Sequence, residues 1–277
     1  MPEGDTIFRS ARALQRALAG KVVTRFETAY AHLASVDDDK EIAGRTVERV
    51  EARGKWLLMY FSGDLILVTH MRMNGSWHLY RTGERWRRAR GDVRIVIETA
   101  DWSAVGFAVP VAEFHSAASL LRKTMILALG PDLLQQGFDF AGVVAAMQKH
   151  ADAQIAEVLL DQRVMAGIGN IYKSETCFIC GVNPFCEVRA LDPKQLEQLV
   201  FTARKFLMLN VAEKADGEIS TYAGLRRTTH TADPSARLWV YGRRGEPCRR
   251  CGTPIEMRKQ GVAARTTFWC PMCQPIQ

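Results

Sequence analysis

The sequence predicts an α+β protein in three parts: a β-rich first part with a flanking helix, a helical middle, and a small β-hairpin module at the C-terminal end. Three observations predict it. Short apolar runs separated by turn residues fill Val22 to about Val111, helical periodicity takes over after Gly130-Pro131, and residues 236–277 carry two cysteine pairs.

The flanking helix is expected over 5–19, where Ile7, Ala11, Leu14 and Leu18 recur at helical spacing, Asp5 can cap and Gly20 stops the chain. The runs VVTRFE, TVERVEA, WLLMYF, LILVTHM, SWHLY, VRIVIE and SAVGFAV are strand length, and seven of them predict a two-layer antiparallel sandwich. The arginine-rich stretch RTGERWRRAR (81–90) reads as a solvated hairpin loop between two strands. LGPDLL (129–134) marks a hinge. Helices are expected over AGVVAAMQKH, over IAEVLLDQRVMAG, over IYKSETCFIC after the turn GIGN, and over 191–214 with Asp192 as N-cap and Pro193 in the first turn. The domain limits that follow are 1–115, a linker 116–131, a helical domain 132–235 and a terminal module 236–277.

The 47% hydrophobic content suits a globular chain with a buried core. No apolar run approaches the ~18 residues of a membrane helix. The opening MPEGDTIFR has no apolar core, so a secretory leader is not expected. A reducing, cytoplasmic location is the expectation, which argues against reading the seven cysteines as disulfides. The net charge of +7 is uneven: residues 236–277 hold eight basic against two acidic side chains, an excess of +6. A basic end on a near-neutral body fits a polyanionic partner.

Cys248-x2-Cys251 and Cys270-x2-Cys273 are separated by eighteen residues, room for a hairpin between two knuckles. Four thiolates so spaced suit one structural Zn²⁺; the competing reading is a pair of redox dithiols. Cys177, Cys180 and Cys186 lie in or near an apolar helical stretch and read as buried thiols. In VMAGIGNIYKSE, two glycines allow close backbone approach and Asn170 begins a helix, whose free amides and positive dipole end suit a phosphate.

Removal of Met1 leaves Pro2 with a secondary α-amine. Such amines titrate near ~7.7–8.0, well below lysine, and the positive end of the adjoining helix favours the neutral form. Pro2 is therefore a candidate Schiff-base nucleophile, with Glu3 beside it as proton donor and acceptor. The bland alternative is that Pro-Glu-Gly-Asp merely starts a helix.

Taken together, PEGD (2–5), RGK (53–55), HMRMNGSW (70–77), LGPD (129–132), GIGNIYKSE (167–175), NP (183–184), VYGRRGEPCRRCGTPI (240–255) and RTTFWCPMCQ (265–274) resemble the formamidopyrimidine-DNA glycosylase/endonuclease VIII family, over the whole chain. The resemblance implies a β-sandwich, a helix-two-turns-helix domain and a zinc finger. It implies base excision repair of damaged double-stranded DNA by a bifunctional glycosylase/AP lyase acting as a monomer, with strand cleavage by β,δ-elimination. Carried over by position, Pro2 matches the nucleophile, Glu3 the acid/base and Lys55 the lysine near the scissile phosphate. Asn170 and Arg265 match two phosphate contacts, Met73 the apolar wedge, and Cys248, Cys251, Cys270 and Cys273 the zinc ligands. There are departures. Thr6 stands where the family often has a second glutamate, SAVGF lacks an expected arginine-phenylalanine pair, and TTHTADPSA is short for the loop that covers oxidised purines. The last two favour the endonuclease VIII branch and oxidised pyrimidines. Other readings are an enzyme that is mainly an AP lyase, a non-catalytic zinc-dependent DNA-binding protein, and a proline tautomerase, which would need neither the zinc finger nor a basic end.

Overall fold

The computed structural model describes residues 2–212, 227–229 and 236–276. The chain folds as two compact units that meet in sequence at Leu127 and Ala128.

In the first unit, α1 (Gly4–Leu18) buries Ile7, Ala11, Leu14 and Leu18 on one face, as the periodicity predicted. Its start differs from expectation. Glu3 holds the N-cap position and makes no side-chain capping bond, while Asp5 sits inside the first turn, buried, 3.8 Å from Arg9. A carboxylate in the first turn complements the helix dipole without capping it.

Eight strands follow: β1 (Arg25–Thr28), β2 (Val47–Arg53), β3 (Trp56–Phe61), β4 (Leu65–His70), β5 (Ser76–Arg81), β6 (Val93–Glu98), β7 (Trp102–Phe107) and β8 (Val111–His115). They form two antiparallel sheets of order β1-β6-β7-β5 and β2-β3-β4-β8, the predicted sandwich. Leu57, Met59, Leu67, Trp77, Ile95 and Ile97 fill the core together with the apolar face of α1.

Within the sandwich domain the sequence does not announce β8 or α2 (Ala31–Lys40), whose only buried residue is Leu33. The hairpin expected around 81–90 is also corrected. β5 pairs with β7 rather than with β6, so this stretch is a crossover. The crossover is pinned where Trp86 packs against Phe107 and where Arg88 bonds the Ser76 hydroxyl at 3.0 Å. The expected linker contains two short helices, α3 (Ala117–Leu120) and α4 (Thr124–Leu127).

The second unit holds α5 (Phe140–Gln148), α6 (Ile155–Leu160), α7 (Asn170–Ile179) and α8 (Pro193–Val211). Asp192 and Gln195 close a reciprocal capping box on α8; residues 213 and 214 of the expected helix lie outside the described residues. The helix expected over 155–167 stops at Leu160, and turns fill the gap to α7. Gln162 holds those turns: its amide donates to the Leu160 and Ile168 carbonyls, and its oxygen accepts from Gly167. Gly167 has φ +115°, a conformation that favours glycine.

β9 (Glu256–Gln260) and β10 (Arg265–Trp269) make the expected hairpin between the cysteine pairs. This module does not stand alone. Phe178 of α7 is buried in one cluster with Val240, Ile255, Phe268, Cys248 and Cys270.

Candidate functional site

Pro2 is half-buried and leads into α1, and Glu3 beside it is 0% exposed. An acidic residue held this deep at the positive end of a helix is far from the usual solvated position of glutamate. Thr6 turns its hydroxyl onto the Asp5 carboxylate at 3.3 Å.

Lys55 is placed by backbone geometry. β2 and β3 pair up to Arg53 opposite Trp56, which leaves Gly54-Lys55 as a two-residue hairpin turn with Gly54 at φ +57°. Trp56 in turn pairs with His70 of β4, and the chain then turns through residues 71–75 into β5. Arg72 in that turn takes φ +47°, with its N–H donated to His70 Nδ1 at 3.0 Å. Strained backbone of this kind persists only where its surroundings hold it. Met73, next along, is 53% exposed, whereas Met71 is buried. Burial, then the charges of Lys55 and Arg72, lower His70 to about 4, so its ring is neutral at pH 7. One ladder thus brings Lys55, His70 and the Met73 turn to the same end of the β3–β4 pair.

In the second unit, Asn170 is the first residue of α7 and is 6% exposed. Arg265 is exposed at the exit of the β9–β10 turn. The two are linked through a residue that the sequence did not single out: Lys173, 1% exposed, donates to the Thr266 carbonyl at 3.0 Å and to the Thr267 hydroxyl at 2.7 Å, and approaches Asn170 Oδ1 at 3.5 Å. Glu175 was missed too. Its carboxylate accepts from the amides of Trp239, Val240 and Tyr241 and from the Thr228 hydroxyl, fixing α7 to the segment that enters the cysteine module. Burial pushes this carboxyl up, and the four donors pull it back. No local pattern marks a charged residue whose partners lie 53 to 94 positions away.

The sulfur atoms of Cys248, Cys251, Cys270 and Cys273 all lie within 4.8 Å of one another, with Cys248–Cys273 at 3.9 Å and Cys251–Cys270 at 3.4 Å. Sulfurs at tetrahedral corners ~2.3 Å from a zinc ion stand about 3.8 Å apart. Backbone N–H groups of Arg250 and Cys273 point at Cys248 and Cys270, as anionic sulfurs require. The residues fit a structural zinc, which cross-links the knuckles and supplies no reaction step. Cys177, Cys180 and Cys186 lie outside this cluster; Cys177 is fully buried and its thiol is pushed up by burial, consistent with a structural thiol.

Three family models match: the formamidopyrimidine-DNA glycosylase N-terminal domain over residues 1–109, its H2TH domain over 129–222, and the zinc finger found in FPG and IleRS over 245–276. "DNA-(apurinic or apyrimidinic site) lyase Nei2" of Mycolicibacterium smegmatis is 40% identical, with 99% of each chain covered. "Probable endonuclease 8 2" of Streptomyces coelicolor is 39% identical over 99% of this chain and 94% of that protein. "Endonuclease 8" of Escherichia coli is 31% identical, over 99% of this chain and all of that one. Among solved structures, the complex of Lactococcus lactis Fpg with abasic-site DNA superposes with a TM-score of 0.80 at 24% identity, covering 99% of this chain and 100% of that one, which shows the shared fold. Among the described residues, no helix is long and apolar enough to cross a membrane.

Proposed function

Because this chain belongs to the formamidopyrimidine-DNA glycosylase/endonuclease VIII family, we propose that Pro2 carries its chemistry as a DNA glycosylase/AP lyase of base excision repair. The observation that carries this is the fully buried Glu3 beside Pro2 at the start of α1. With Met1 removed, the neutral Pro2 amine attacks C1′ of the damaged nucleotide. The new C–N bond forms as the glycosidic bond breaks, and the base leaves with a proton supplied through Glu3. The Pro2 nitrogen then gives up its proton and its lone pair opens the C1′–O4′ bond, O4′ taking a proton through Glu3; the resulting iminium draws electrons as the C2′ proton is lost, and the C3′–O bond breaks. Loss of the C4′ proton then breaks the C5′–O bond, and water releases Pro2.

Lys55, Asn170 and Arg265 hold phosphates, Met73 fills the space of the extruded nucleotide, and the four cysteines hold zinc. The substrate is damaged duplex DNA, oxidised pyrimidines before oxidised purines, processed by a monomer in the cytoplasm on the nucleoid. A second reading, an enzyme that is mainly an AP lyase, draws support from Thr6. With its hydroxyl turned to Asp5, position 6 supplies no second carboxylate for base excision.

Borohydride trapping tests the nucleophile. Processed protein should form a covalent adduct with abasic DNA, and Pro2→Gly should weaken it or change its rate. Equal trapping by protein that retains Met1 would remove Pro2 from this role.

A further inference from the structure

The geometry points to Lys173 as a positioning residue that sets the polarity of the Asn170 amide, an inference resting on the reading of Asn170 as a phosphate contact. Lys173 is 1% exposed, and a charge buried so deeply is costly unless acceptors surround it. Here three converge on its Nζ: the Thr267 hydroxyl at 2.7 Å, the Thr266 carbonyl at 3.0 Å and Asn170 Oδ1 at 3.5 Å.

An ammonium group donates and never accepts. The end of the Asn170 amide that faces it must therefore be the oxygen, which leaves the two Nδ2 protons on the opposite side. That is the polarity an anionic phosphate needs. The reversed amide would set N–H groups against an ammonium and offer the phosphate an oxygen.

The other bonds of Lys173 fix the hairpin that carries Arg265. The Thr267 hydroxyl, accepting from Lys173, donates to Gln260 Oε1 at 2.7 Å. Gln260 Nε2 donates in turn to Gln154 Oε1 at 2.6 Å and to the Pro184 carbonyl at 3.0 Å. Every donor direction in this relay follows from the lysine at its head, and the relay runs from α7 through both hairpin strands to the start of α6. Such a chain is rigid when all its members are satisfied. Lys173 thus serves both phosphate contacts of this unit without touching DNA.

The test is binding to a duplex carrying a stable abasic analogue, measured for Lys173→Met, Lys173→Gln, Asn170→Ala and each double variant, with zinc content as the check on folding. Glutamine can still bond Thr267 but is both donor and acceptor, so it no longer dictates the amide. Both Lys173 variants should keep one zinc and bind roughly fivefold to tenfold more weakly, a hydrogen-bond-sized effect. In the Asn170→Ala background Lys173→Gln, which keeps the Thr267 bond, should weaken binding no further, and Lys173→Met should keep only the smaller loss that comes through the Arg265 hairpin. Wild-type affinity in a zinc-loaded Lys173 variant, or the same loss with and without Asn170, overturns the inference while leaving the phosphate contact intact. Unchanged affinity in Asn170→Ala alone overturns the phosphate reading itself.

Discussion

Glu175→Gln should destabilise the second unit by about 2–4 kcal/mol, although it changes one atom in a fully buried side chain. Oε1 accepts from the Val240 and Tyr241 amides, both at 2.9 Å, and Oε2 from the Trp239 amide at 2.8 Å and the Thr228 hydroxyl. A glutamine has one oxygen. If it keeps Val240 and Tyr241, its NH₂ faces the Trp239 N–H, two donors with no acceptor between them; the Thr228 hydroxyl alone can turn round. A buried donor left unsatisfied costs ~1–3 kcal/mol, and the surviving bonds lose their charge assistance. Urea unfolding followed by tryptophan fluorescence reads the effect, since Trp239 lies at the site. With a slope of ~1–3 kcal/mol per molar, the apparent midpoint should fall by roughly 1 M or more. Zinc should also be surrendered to a chelator sooner, because segment 239–241, which would lose an acceptor, leads into the cysteine module. An unchanged midpoint would refute the reasoning. It would mean that burial, which already holds this carboxyl above its usual range, keeps the native group as the neutral acid, of which glutamine is a near copy.

Metal analysis should find one zinc per chain, lost on Cys270→Ser together with DNA affinity; well-folded, active protein without metal would contradict the site. Arg265→Ala should weaken binding on all sequences alike and lower the slope of log affinity against log salt by about one; an unchanged slope and affinity would remove Arg265 from the DNA backbone. Single-turnover rates on matched duplexes should be higher for thymine glycol, 5,6-dihydrouracil and abasic sites than for 8-oxoguanine opposite cytosine. An 8-oxoguanine rate at or above the thymine glycol rate would refute that preference, and activity confined to abasic sites would make the enzyme mainly a lyase.

The sandwich was legible because WLLMYF and LILV announce strands buried on both faces, and the zinc site because a four-residue cysteine spacing is local. β8 was missed since VAEFH carries a glutamate and a histidine and buries only Ala112, and α2 since AHLASVDDDK has almost no apolar face. The crossover at 82–92 was mistaken for a hairpin because strand order is a long-range property; adjacency in sequence favours pairing without requiring it. The turns after Leu160 were read as helix because VMAG keeps an apolar pattern while Gln162 quietly takes over the backbone bonds. The loop 228–236, from which the lesion preference was partly read, lies mostly outside the described residues. Lys173 and Glu175 were invisible for another reason: what makes them matter is burial, and their partners come from a different stretch of chain.

The turn at Gly54-Lys55 has an implication for how this surface can vary. A functional lysine on a long loop can drift by an ångström when the loop gains or loses a residue. Here the lysine occupies the tip of a hairpin whose next six residues, Trp56 to Phe61, are all buried. A one-residue insertion at the tip would have to turn every one of those side chains to the opposite face of the sheet or be absorbed as a bulge. The position of the charge is therefore policed by the hydrophobic core rather than by selection on the turn alone. An insertion that shifts Lys55 disturbs the packing of Trp56 to Phe61 unless a bulge at the tip takes it up.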